Sequence, residues 1–288
     1  MNFNWGLLQL GVLLSGFCAL AAAERLWPRR ALAVELISRW SANMGFTIVN
    51  AVTGTLAHFF VPTVVVAEAI YVEAHGYGLL PALGVGFWLA LPLSLAALDL
   101  SLFGLHVACH KVPALWRVHR VHHIDLEVDA TTAFRGHPAE YLASQLCKLG
   151  VVYALGAPAL AVLAYEILLN VFAMFSHSNV RLGENTDRLL RRFIVTPDMH
   201  RVHHSAHQPE TDSNYGVVTP LWDRLFGTYM ASTREPQETM KLGLDEVRGR
   251  EAYNLFWLLA APALSLKSPQ THATRVELPV TSSLHTAA

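Results

Sequence analysis

Leu79 to Leu98 is a run of twenty residues without a charge, and it leads straight into a stretch, His106 to His123, that holds five histidines in eighteen residues. At about 1.5 Å per residue, twenty helical residues cover about 30 Å, the thickness of a bilayer's hydrocarbon core. The run therefore predicts a membrane-crossing helix, and the histidines then stand at its exit. The composition agrees: 53% hydrophobic and 15% charged residues, with a mean hydropathy of +0.34, is too apolar for an ordinary soluble domain. The expected fold class is all-α: an integral membrane helical bundle of about four transmembrane helices, including a short helical hairpin, under a cytosolic histidine-rich cap holding two metals.

Other classes are disfavoured. The net charge of −1 and the lack of a long lysine- or arginine-rich run predict no nucleic-acid partner. Cys18, Cys109 and Cys147 lie in apolar surroundings without Cys-x-x-Cys spacing, so neither a disulfide framework nor a thiolate metal site is expected.

Along the chain, Trp5 to Ala23 is long enough to cross a bilayer. Ala19-Leu20-Ala21 resembles a signal-peptide cleavage site, but no Lys or Arg precedes the run while Arg25, Arg29 and Arg30 follow it. That asymmetry favours a retained anchor with its N-terminus outside. Glu24 to Asn43 is then cytoplasmic, Met44 to Ala67 a second span, Glu73 to Tyr77 an outside loop and Leu79 to Leu98 the return. Tyr141 to Phe175 is apolar but broken at Gly156-Ala157-Pro158, which predicts a hairpin of two short helices that brings the later histidines back to the face of the earlier ones. Tyr253 to Leu266 is too short to span and reads as a helix on the membrane surface. The expected division is residues 1–98 as transmembrane helices, 99–230 as the histidine domain with the membrane hairpin 141–175, 231–266 as cap and interfacial helix, and 267–288 as a disordered tail. A bacterial inner membrane, with the histidines on its cytoplasmic side, is the expected location.

The histidines fall into spacings that a helix converts into faces. His106 and His110 are four apart; His119, His122 and His123 stand at i, i+3 and i+4; His200, His203 and His204 repeat that pattern. His177 ends the hairpin. A single His-x-x-x-His is weak evidence and a lone His177 weaker still, but two His-x-x-His-His boxes beside membrane segments point to metal. Nine imidazoles exceed the four to six ligands of one first-row ion, so two metals are the economical reading. Imidazole suits iron, zinc, copper and nickel alike, and the absence of His-Glu-x-x-His argues against a zinc peptidase. His58, His75, His272 and His285 belong to no cluster and are assigned to polar contacts or solvent; His207 is left unassigned.

The blocks LWRVHRVHH, DATTAFRGHPAE, FSHSNVRL, MHRVHHSAHQPETDSNYG and PLWDRLFGTY, with Asp99 seven residues before His106, resemble the sterol desaturase and fatty-acid hydroxylase superfamily of membrane-bound oxygenases over about Asp99 to Tyr229. The resemblance implies two iron ions held by His106, His110, His119, His122, His123, His177, His200, His203 and His204. Val107 stands where many members carry Arg, a change beside a ligand rather than at one. Metal-bound imidazoles usually donate their other N–H to a carboxylate or carbonyl. Asp99, on the same helix face as His106, is the first candidate for such support, followed by Glu140, Asp198, Asp212 and Asn214, with Arg135 and His137 ordering the loop after the second box.

The implied activity is O2-dependent oxidation of an unactivated lipid C–H bond to an alcohol or an alkene. Sterols, fatty acyl chains and related long lipids are all candidate substrates. The chain has no nucleotide, haem or Cys-x-x-Cys motif, so electrons are expected from separate donor proteins. The alternatives are a histidine-rich membrane metal transporter and a membrane metallohydrolase. The placement of most histidines outside the apolar runs disfavours the first, and the lack of an evident Glu base beside the boxes disfavours the second.

Overall fold

The computed structural model describes residues 5–57 and 65–266. The structure is all-helical, and among the described residues no β-strand occurs, only isolated bridges at Pro28–Val180 and Ser205–Leu242. His58, His272, His285 and the expected tail lie outside the described residues.

The chain runs through α1 (Trp5–Leu26), α2 (Leu36–Ala57), α3 (Val65–Ala74), α4 (Leu79–Ala82), α5 (Phe87–Lys111), α6 (Pro113–His123), α7 (Pro138–Leu155) and α8 (Ala159–His177). Five short helices follow: α9 (Glu184–Leu190), α10 (Pro197–His203), α11 (Gln208–Thr211), α12 (Leu221–Phe226) and α13 (Leu255–Ala260). Among the described residues three segments, Gly6–Leu26, Phe87–Lys111 and Ala159–His177, are long and apolar enough to cross a membrane.

Two span boundaries differ from the sequence reading. The span expected from Leu79 breaks after α4, where Gly84 takes a left-handed φ of 66° and Gly86 caps the next helix. The long helix instead runs from Phe87 through both His106 and His110. The helix expected from Met44 begins at Leu36, inside the stretch read as cytoplasmic. Its first turns are held by polar burial rather than by lipid: Arg39 is fully buried and pairs with Asp129 at 2.9 Å, and Asn43 donates to Thr131 at 2.9 Å.

The hairpin forms where Gly and Pro predict it, with Gly156 in the left-handed conformation as the C-cap of α7. Between its arms Lys148 pairs with Glu166 at 2.5 Å, an internal partner for two charges in an otherwise apolar element. One core cluster joins Val65, Ala69 and Val72 of α3 to Leu98 and Leu102 of α5, Leu149 and Val152 of α7, and Val162 and Tyr165 of α8. A second joins Ala42 and Phe46 of α2, Val121 of α6, and Leu258 and Ala261 near the end of the described chain. The single surface helix expected over 253–266 is therefore α13 flanked by 3-10 turns, with Leu258 and Ala261 buried and Phe256 exposed.

The packing fixes where the histidines stand. α5 lies against α6, α7 and α8, and α8 lies against α10. The C-terminal ends of α5, α6, α8 and α10, which carry all nine box histidines, thus meet at one end of the bundle.

Candidate metal centre

Local sequence sets each histidine-bearing turn. Val112-Pro113 ends α5 and starts α6, because proline lacks the N–H that a first helical turn cannot use and favours an extended residue before it. Eleven residues of α6 then carry His119, His122 and His123 to its last turn. α10 begins likewise at Pro197, with the Thr196 hydroxyl accepting from the Met199 amide, and carries His200 and His203. His177 is the last residue of α8.

The nine imidazoles converge as two adjoining groups. His106, His110, His119, His123 and His203 form one, and His122, His177, His200 and His204 the other; within each, candidate ligand atoms lie within 4.8 Å of one another. α6 serves both groups, sending His119 and His123 to the first and His122 to the second. α10 does the same with His203 and His200. The rings of His123 and His204 stack across the boundary at 4.7 Å, and Trp116 walls the first group at 5.0 Å from His110 and 5.4 Å from His123.

Hydrogen bonds fix the ring orientations. Nδ1 of His106 donates to the Tyr215 carbonyl at 2.8 Å, that of His177 to the Ala173 carbonyl at 2.7 Å, and that of His203 to the Ser213 carbonyl at 2.7 Å. A carbonyl can only accept, so each of these rings carries its proton on Nδ1 and presents a bare Nε2. His119 Nδ1 lies 2.7 Å from Glu140 Oε1 and His110 Nδ1 3.3 Å from Asp212 Oδ1.

In the first group the consequence is a pair of lone pairs pointed at one another. His106 Nε2 and His119 Nε2 are 3.1 Å apart although the other nitrogen of each ring holds the proton. His177 Nε2 lies 3.0 Å from His122 Nε2 and 2.9 Å from His200 Nε2. Nε2 of His110 and His203 and both nitrogens of His204 are buried without a partner. Opposed acceptors repel, and unpartnered buried ones forfeit hydration. A cation between them removes both costs, since nitrogens bound at about 2.0–2.1 Å and at right angles sit about 3 Å apart. The donor set therefore fits two metal ions. Burial first, and then the neighbouring imidazoles, hold His122, His123, His200, His203 and His204 well below the ordinary histidine range, so these rings stay neutral and able to ligate.

Among the residues proposed to support the ligands, Glu140 and Asp212 meet an imidazole; the others do not. Asp99 accepts from Trp222 Nε1 at 2.8 Å and from the Tyr165 hydroxyl at 3.3 Å. It shares a face with His106 but sits two helical turns, about 10 Å, away along the axis. Arg135 donates to the Val121 and Ala252 carbonyls and to Asn43, so it clamps the last turn of α6 from behind. His137 caps α7 and contacts the Leu259 carbonyl at 3.2 Å. Asp198 pairs with Arg29 and Arg201. Asn214, with φ of 52°, bonds the backbone of Met199 and Met230. His75 bonds the Tyr71 carbonyl, and His207 precedes α11 as its N-cap residue. The sequence reading missed the carbonyls of Tyr215, Ser213 and Ala173, because a main-chain acceptor leaves no mark in residue type.

A cavity of about 170 Å³ opens beside the cluster, reaching His106 and His119 of one group and His122, His177 and His200 of the other. Leu102, Leu105, Ala133, Ala173 and Val217 give it an apolar wall, and Glu140, Ser144 and Ser176 add polar points.

Residues 91–228 match the family model "Fatty acid hydroxylase". Alkylglycerol monooxygenase of Xenopus tropicalis is 28% identical over 138 residues, 48% of this chain and 30% of the relative. Ornithine lipid hydroxylase of Rhizobium tropici is 29% identical over 137 residues, 48% of this chain and 40% of the relative. A probable Delta(7)-sterol 5(6)-desaturase of Neurospora crassa is 26% identical over 197 residues, 66% of this chain and 52% of the relative. The chain thus spans from 30% to about half of the length of these relatives. No solved structure matches the chain significantly. The matched segment contains all nine converging histidines, α8 and all but the first turn of α5, and this segment of a membrane protein belongs to the sterol desaturase and fatty-acid hydroxylase superfamily.

Proposed function

We propose that the chain is a membrane-bound oxygenase that uses two iron ions and O2 to hydroxylate or desaturate a lipid C–H bond. The observation that carries this reading is the pair of bare Nε2 atoms of His106 and His119 held 3.1 Å apart within one of two adjoining groups of histidines. When bound, the two ions supply O2 activation and oxidation of the C–H bond. The relatives named monooxygenase, hydroxylase and desaturase support lipid as the substrate class.

The chain's own residues orient and exclude. Tyr215, Ser213 and Ala173 carbonyls and the Glu140 carboxylate hold imidazole rings by their Nδ1 atoms, which fixes the nitrogen available to a metal. The apolar wall of the cavity suits a hydrocarbon chain and keeps water from the cluster. Its position between α5, α7 and α8 lets a lipid tail reach the histidines without leaving the bilayer.

The same reading assigns residues 1–98 to the membrane anchor, 99–230 to the catalytic domain and 231–266 to the cap. It uses four crossings, counting the hairpin of α7 and α8, with the histidines facing the cytoplasm of a bacterial inner membrane. Electrons come from a separate donor protein.

Purified protein should hold two iron ions per chain and, with reductant and O2, convert an added lipid extract to hydroxylated or unsaturated products read by mass spectrometry. Transport of metal across vesicles without lipid oxidation would replace this reading with the transporter.

A further inference from the structure

We propose that α12 and the end of α9 form an interfacial collar that seats in the headgroup region of an anionic bilayer, beside the histidine end of α5. The patch consists of Leu189, Phe193, Leu221, Leu225 and Phe226, each more than half exposed. Five large apolar side chains left in water on two elements too short to cross a membrane, and on the turn after the first of them, call for a cover.

The contacts fix where the patch sits. On α12, Trp222 donates to Asp99 of α5 at 2.8 Å, and Phe226 stacks on Phe103 of α5 with ring centroids 5.5 Å apart. α12 thus lies along α5 at residues 99–103, where the uncharged run ends. Arg224 of α12 donates to the Arg191 carbonyl at the C-cap of α9 at 3.0 Å, and Val195, in the segment after α9, donates to the Val218 carbonyl, in the segment before α12, at 3.1 Å.

Charge selects the occupant. Arg188 and Arg192 are exposed, make no ion pair among the described residues and flank Leu189 and Phe193 at the same four-residue spacing. Apolar and aromatic side chains beside arginines are the composition of an interfacial element, in which the rings enter the acyl boundary and the guanidinium groups meet phosphates. Free arginines beside the patch favour anionic lipids over neutral ones.

The proposal rests on α5 crossing the membrane, and the test separates the two. Single cysteines replace Leu225, Leu93 and Glu246 in a C18S background, carry an environment-sensitive fluorophore and are read in nanodiscs of phosphatidylglycerol or phosphatidylcholine with brominated acyl chains. An unsubstituted C18S control measures labelling of Cys109 and Cys147. The collar predicts quenching at 225 by shallow bromine at least twofold above that at Glu246 on the cap, quenching at 93 by deep bromine, and a several-fold loss of the phosphatidylglycerol preference in R188E/R192E. Quenching at 93 with a water-exposed probe at 225 would overturn the collar and leave the span intact, and burial of 225 only on adding a redox protein would give the patch to a protein partner instead. No quenching at 93 would remove the span and the collar with it.

Discussion

At the residue scale, the tautomers fixed at His106, His119, His177 and His203 are what leave bare nitrogens for a metal. Glu140 is the one carboxylate within 2.8 Å of a box imidazole among the described residues, and through His119 Nδ1 it sets a nitrogen that faces His106 and His123. Glu140→Ala should therefore weaken metal retention by about 10- to 100-fold, and Glu140→Gln, which keeps an accepting oxygen, should recover part of it. Iron per chain after dialysis against a graded chelator reads this directly. Asp99→Asn is the contrast: its partners are Trp222 and Tyr165, so it should lower stability by about 1–3 kcal/mol with iron content unchanged. Iron loss in the Asp99 variant equal to that in the Glu140 variant would return Asp99 to the site. The choice between these two carboxylates was not legible in the sequence. Residues seven apart share a helix face but not a depth, and Glu140 reaches His119 only through the packing of α7 on α6.

At the element scale, the hairpin of α7 and α8 has to return the chain to the end where α5 and α6 stop. Gly156 makes that return, with φ of 71° and a backbone so close to Tyr77 and Pro81 that a Cβ would collide with both. Gly156→Ala should cost at least the 1–3 kcal/mol of a strained left-handed residue, roughly, and more for the collision. Because His177 closes α8, the loss should reach the site: thermal unfolding in detergent should fall, and iron should drop as His122, His200 and His204 lose their fourth partner. Unchanged iron in a folded variant would uncouple the hairpin from the centre. The turn itself was legible, since Gly-Ala-Pro stops a helix under any packing. The start of α2 was not, because Arg39 sits in the helix only by virtue of Asp125 and Asp129, some ninety residues later.

At the scale of the whole molecule, the buried imidazoles couple metal, folding and acidity. The division of nine histidines into five and four depends on how α6 and α10 are rotated against α5 and α8, a tertiary fact that their spacing does not contain. The spacing does bring them to common faces, which is why the candidates were legible while their partition was not. In the metal-free fold, burial and mutual proximity hold His122, His123, His200, His203 and His204 neutral well below the ordinary histidine pKa. The unfolded chain takes up protons at about pH 6.5. The folded state therefore binds fewer protons than the unfolded state in acid, so the stability present above about pH 6.5 falls as pH drops below it. Each such residue contributes on the order of 1 kcal/mol per pH unit, and five together approach the entire stability of an ordinary domain, about 5–15 kcal/mol. Chelator-treated protein in detergent should accordingly lose its thermal transition steeply between pH 6.5 and 5, whereas the metal-loaded protein, whose ligand nitrogens are already occupied, should hold until acid displaces the ions. Coincident pH profiles for the two forms would mean that these nitrogens are not the metal's ligands, and the two-group assignment would fall with them.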